Sequence, residues 1–107
     1  MFMWSSDRPG MPVAVPTNAE LGRAIRRLRR GRRMTIEGLA HAADMHPTYL
    51  SGIERGLRNP TWSKLTGLAR ALEIPVAVIA RDAEAEAQLA ARMRIARVEL
   101  GLSERFA

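Results

Sequence analysis

The sequence predicts an all-α protein: five short helices followed by an additional C-terminal helix. Three observations predict it. Apolar residues recur at spacings of three and four, the helical period. Small polar residues stand just before these runs, and glycine or proline punctuates them where terminators and first-turn residues belong. Beyond Arg81 the composition turns to Ala, Glu and Arg, the vocabulary of a long exposed helix. At 107 residues the chain has room for one small core.

Each element has a local cause. Thr17-Asn18-Ala19-Glu20 is a capping box, so a first helix starts at Thr17 and stops near Arg30, before Gly31. Leu21, Ile25 and Leu28 form its buried stripe, and its other face is almost wholly arginine. A second helix runs from Ile36 to about Ala43, with Thr35 as N-cap and Met34 and Leu39 as a hydrophobic staple. Its apolar face is Ile36, Leu39, Ala40 and Ala43. After the turn Asp44-Met45-His46, Pro47 suits the first position of a third helix, where its fixed φ and missing N–H are harmless. Gly56 ends that helix, which buries Leu50 and Ile53 and turns Pro47, Thr48, Tyr49 and Gly52 outward. Thr61 caps a fourth helix with Trp62, Leu65, Leu68, Ala69 and Leu72 on one face, Trp62 being expected in the core. Pro75 opens a fifth, whose Val76, Val78 and Ile79 close the core.

Residues 1–16, with Pro9, Pro12 and Pro16 and no helical period, read as an irregular arm. Phe2, Met3 and Trp4 stand out within it, but no pattern assigns them a task. Residues 17–81 make the domain, and residues 82–107 the C-terminal helix. There Leu89, Met93, Ala96 and Leu100 fall at spacings of four, three and four, a heptad-like seam closed by Gly101. Ile95, Val98 and Leu102 widen the apolar surface beyond what a lone solvated helix needs. Two readings fit: a homodimerisation element, or a helix folded back on the first and fifth.

The formal charge of +6 is concentrated. Residues 21–60 hold nine arginines against Glu37, Asp44 and Glu54, while the flanking segments nearly cancel. Seven of those arginines crowd between Arg23 and Arg33, where they repel one another, so a nearby polyanion is expected. Cysteine is absent, which removes disulfides and thiolate metal sites and makes a reducing cytoplasm, at the nucleoid, the expected compartment. The longest apolar run, Ile74 to Ala80, is interrupted by Pro75 and too short to span a bilayer, and Met1 to Ser6 lacks the features of a secretory signal. The two histidines, His41 and His46, have no third ligand or carboxylate set beside them, and no phosphate-cradling glycine loop or nucleophile–base pair is present. Neither an enzyme nor a cofactor or metal is expected.

By spacing alone, residues 35–60 are either a plain helical hairpin or a helix-turn-helix unit, which offers the polar start of its second helix to the major groove. The motifs add to this. Leu21-Gly22-Arg23-Ala24-Ile25-Arg26-Arg27-Leu28-Arg29, Thr35 to Ala40, and Tyr49-Leu50-Ser51-Gly52-Ile53-Glu54-Arg55-Gly56-Leu57-Arg58-Asn59-Pro60 are together similar to the Xre/Cro family of phage-repressor-like helix-turn-helix proteins. The resemblance spans about residues 21 to 80. It implies that Arg29 pairs with Glu54, locking the first helix to the third. It also implies that the loop from Leu57 to Pro60 lies against the sugar-phosphate backbone. The base-facing candidates are His46, Pro47, Thr48, Tyr49 and Gly52. The phosphate candidates are Arg32, Arg33, Thr35, Ser51, Arg55, Arg58 and Asn59. Three positions depart from the pattern: Ile36 where glutamine is common, Asp44 where glycine is usual, and Pro47 where a polar residue begins base reading. With neither Arg nor Gln among the base-facing side chains, thymine methyl contacts by Pro47 or Tyr49, shape readout, or an arginine reaching in from elsewhere would carry sequence preference.

The expected function is a transcriptional regulator that binds double-stranded DNA as a homodimer on paired half-sites. A second expectation is an antitoxin or adaptor that holds a protein partner through the C-terminal helix and regulates itself through DNA. A nonspecific DNA-compacting protein is a third. No membrane partner is expected, and no effector is indicated.

Overall fold

The computed structural model describes residues 14–101. Most of the expected arm, including Phe2, Met3 and Trp4, lies outside them, as does Leu102. The described chain is all helix and loop: α1 (Asn18–Gly31), α2 (Ile36–Ala42), α3 (Pro47–Glu54), α4 (Trp62–Leu72) and α5 (Val76–Leu100). The fully buried large side chains are Ile25 of α1, Leu39 of α2, Leu50 and Ile53 of α3, Leu68 and Leu72 of α4, and Ile79 of α5. Every helix thus contributes to a single core, and each such side chain is worth about 1.5–3 kcal/mol. Met34, Ile36 and Ala43 pack on its margin.

Local chemistry explains the helix ends. The Glu20 carboxylate accepts from the Thr17 N–H at 2.7 Å and from its hydroxyl at 2.5 Å. Thr35 and Thr61 accept from the Gly38 and Lys64 N–H groups at 2.9 and 3.2 Å. The first four helices share one way of stopping, a pair of backbone bonds that turns the chain through a left-handed residue. After α3 the Leu57 N–H reaches the Gly52 carbonyl and the Gly56 N–H that of Ile53, with Gly56 at φ 78°. The same pairs close α1, α2 and α4, but the left-handed residues are Arg33 (φ 56°), Asp44 (φ 57°) and Glu73 (φ 60°). Asp44, standing where glycine is usual, has the short polar side chain that tolerates this conformation. Arg33 and Glu73 lack the small polar side chain that eases it.

Two expectations are corrected. The fifth helix and the C-terminal helix are one continuous helix of 25 residues, so the boundary drawn at residue 81 falls inside α5. Neither Gly nor Pro interrupts residues 76–100, and good helix formers dominate them, so propagation has no reason to stop. Trp62 is not in the core but 67% exposed. It is the first residue of α4, one turn before Leu65, where the helix overhangs the core.

α5 runs back along α1. Glu86 stands opposite Arg23 and Arg27, and Ala90 and Ala91 lie beside Thr17 and Glu20. Its first half is therefore covered, whereas residues 92–100 are all exposed.

Candidate nucleic-acid interface

α3 is held to α1 at its C-terminal end. A Cβ on Gly22 would collide with the carbonyls of Ile53 and Glu54, standing 2.6 Å from the Glu54 oxygen, so only glycine permits this approach. Beside it the Arg29 Nε and Nη2 donate to the two Glu54 carboxylate oxygens at 2.7 and 2.9 Å. The pair is buried, with side-chain exposures of 9% and 3%. Arg29 Nη1 also donates to the Met34 carbonyl at 2.9 Å, tying in the α1–α2 loop. The Glu54 hydrogen bond holds the Arg29 pKa above its ordinary value, against the opposing effect of burial.

Anchoring one end of α3 leaves the other open. His46 is its N-cap: Nδ1 accepts from the Thr48 N–H at 3.0 Å. In a neutral ring the proton then sits on Nε2, which gives His46 a donor away from the cap. His46 and Thr48 are exposed, while Pro47 and Tyr49 are half-buried. The Tyr49 ring packs on the core, and the Arg58 guanidinium lies 5.9 Å from its centroid, a cation–π distance.

Arg58 overturns one expectation. Gly52 was placed among the base-facing residues, yet it is buried, and a Cβ there would come within 2.7 Å of Arg58 Cγ. The stem of Arg58 crosses α3 at Gly52 to reach Tyr49, so the outward surface of α3 narrows to its first turn. Nothing in the local spacing announces this cover, because the residues involved belong to a helix and to the loop after it.

The phosphate candidates fall into two groups. Arg55, Arg58 and Asn59 are exposed around the end of α3, with Ser51 half-buried between them. Arg33 is exposed in the α1–α2 loop, and the Thr35 hydroxyl oxygen is engaged by its cap. Arg32 has a different task from the one expected: it donates to the Leu72 carbonyl and lies 3.2 Å from the Glu73 carboxylate. It braces the end of α4, whose carbonyls attract a cation. Leu57 at the head of this loop and Trp62 just beyond it are 65% and 67% exposed; of the two, only Trp62 was not foreseen at this surface. Among the described residues no cluster of His, Cys, Asp or Glu could hold a metal ion, and no helix is long and apolar enough to cross a membrane.

A family model described as a helix-turn-helix domain matches residues 20–81. The chain belongs to the helix-turn-helix family. Solved structures refine the type of this helix-turn-helix protein. The clp gene regulator ClgR from Corynebacterium glutamicum is 32% identical over 82% of this chain and 92% of its own, with a TM-score of 0.70. The restriction-modification controller C.AhdI from Aeromonas hydrophila is 31% identical over 58% of this chain and 94% of its own, at a TM-score of 0.58. The controller C.Esp1396I, seen as a tetramer with its natural 35 base-pair operator, is 32% identical over 64% of this chain and 91% of its own, at 0.60. No curated protein sequence matches the chain. With these neighbours the helix-turn-helix protein is of the phage-repressor-like, Xre/Cro type.

Proposed function

We propose that this helix-turn-helix regulator binds operator DNA as a homodimer, with the first turn of α3 at the base edges and Arg55, Arg58 and Asn59 on the strands alongside. The observation that carries this reading is the asymmetry of α3: its C-terminal end is locked by Gly22 and the Arg29–Glu54 pair, and its N-terminal end is open and polar at His46 and Thr48. A rigid helix with one free end is what groove insertion requires. The C.Esp1396I tetramer on its operator supports DNA as the ligand.

The dimer reading rests on α5. Leu89, Met93 and Leu100 are 51%, 52% and 69% exposed, and Ala96 lies between them on one stripe. The fold-back alternative accounts for the first half of α5, not for this stripe. Two copies joined there would address half-sites about 34–36 Å apart, one turn of the duplex. The same stripe would also serve an adaptor that binds a different protein.

Salt-titrated binding to duplexes tests the DNA reading. Arg55→Ala should weaken all sequences alike and lower the salt slope by about one. Thr48→Ala should change which sequence is preferred. Equal effects of both changes on every duplex would remove the case for sequence-specific reading. Sedimentation of Met93→Glu tests the seam: the mass should fall to that of one chain, and an unchanged mass would count against it.

A further inference from the structure

The face of α1 turned from the core carries Arg23, Arg26, Arg27 and Arg30, all exposed. At about 100° per residue they occupy roughly a third of the helix circumference, spread over about 10 Å of its length. With Gly31 and Glu86 of α5 they line an open groove of ≈ 680 Å³. Glu86 is only 6% exposed; it pairs with Arg27 and lies 3.5 Å from Arg23 Nε. Arg23 is shared with Glu20 at 3.0 Å. Arg26 and Arg30 have no acidic partner among the described residues. Among the described residues four guanidiniums thus face two carboxylates, a net of two positive charges.

α3 meets α1 through its C-terminal end, at Gly22 and Arg29, so the open turn at His46 and Thr48 stands at the far end of α3 from this contact. No residue of α3 lines the groove, so its guanidiniums are open to an anion other than one held at that turn. The buried Glu86 carboxylate holds two of the arginines in place, while among the described residues no acid engages the other two. Guanidinium forks of this kind match phosphate oxygens two at a time. We infer that the α1–α5 groove binds a small molecule bearing a chain of phosphates. Such a ligand competes with Glu86 for Arg23 and Arg27. Drawing either arginine away weakens the compensation of a buried carboxylate on α5, the helix that also carries the exposed apolar stripe. Occupancy is thereby coupled to the grip of α5 on α1.

The test is calorimetric titration of the full chain with inorganic tripolyphosphate at fixed ionic strength. Arg26→Ala/Arg30→Ala removes two exposed side chains and leaves the core intact. Arg70→Ala/Arg81→Ala removes the same charge elsewhere. The wild type should bind saturably, the groove variant about tenfold or more weakly, from two lost charge-assisted contacts, and the control variant like wild type. Equal weakening in both variants would reduce the effect to general attraction and overturn the site. Absence of saturable binding, with duplex affinity lost in the groove variant, would overturn it too and assign the ridge to a DNA strand.

Discussion

Arg29 and Glu54, 25 residues apart, meet in a buried two-pronged ion pair that joins the end of α1 to the end of α3. Taking two charges out of water is costly, so the pair is weak evidence for net stabilisation, but breaking it strands a charge. Removing one partner of such a pair destabilises by about 3–5 kcal/mol. Glu54→Gln keeps one acceptor and should fall at the lower end of that range. A thermal melt reads it directly, and an unchanged midpoint would contradict a structural role for the pair.

Gly22 stands where two carbonyls leave no room for a methyl group. Those carbonyls belong to the backbone of α3 and cannot swing aside, so Gly22→Ala must push α3 off α1. Overpacking of this kind costs about 1–3 kcal/mol. Denaturant unfolding should show the loss, together with weaker duplex binding as the open end of α3 tilts. Normal stability in Gly22→Ala would mean that the two helices are not seated as described.

Glu73 holds a left-handed conformation, φ 60°, at the end of α4. That geometry costs a residue with a Cβ roughly 1–2 kcal/mol, and glycine adopts it freely. Glu73→Gly forfeits the exposed contact with Arg32, worth at most about 1 kcal/mol, while the Arg32 bond to the Leu72 carbonyl remains. The expected outcome is a small rise in melting temperature, a few degrees at most. A marked fall would show that the Arg32–Glu73 contact matters more than the turn strain.

Glu20 gives the fold an acid dependence. Hydrogen bonds from the Thr17 hydroxyl, then from the Thr17 N–H, with Arg23 adding attraction, hold its carboxyl below the ordinary carboxylate range. A carboxyl whose folded pKa is depressed stabilises fully above its unfolded value, and that contribution disappears as the pH falls through the folded one. Melting temperature should therefore drop on acidification below the usual carboxylate range. Glu20→Gln, which keeps the box without the titration, should flatten that drop, and at this surface carboxylate the difference in stability is about 1 kcal/mol or less. Parallel pH profiles for the two proteins would rule out this origin.

Much of the fold was legible along the chain because its causes are local. Thr35 reaches Gly38 and Thr61 reaches Lys64, three residues on, and the stripe from Leu65 through Leu68 and Leu72 repeats within one helix. Such interactions are written in consecutive residues, so the first four helices, their caps and most of the core followed from spacing. The Arg29–Glu54 pair was implied by the motifs, but other meetings between elements were decided only in three dimensions. Arg58 covers Gly52, Arg32 crosses forty positions to the end of α4, and Glu86 finds Arg27 on a helix nearly sixty residues earlier. A long, jointed cation can reach many acceptors, and which one it meets depends on where packing has set its stem. The helices and their apolar faces therefore belong to the sequence. Which of the many arginines stand free for an anion, and which serve as braces, belongs to the assembled bundle.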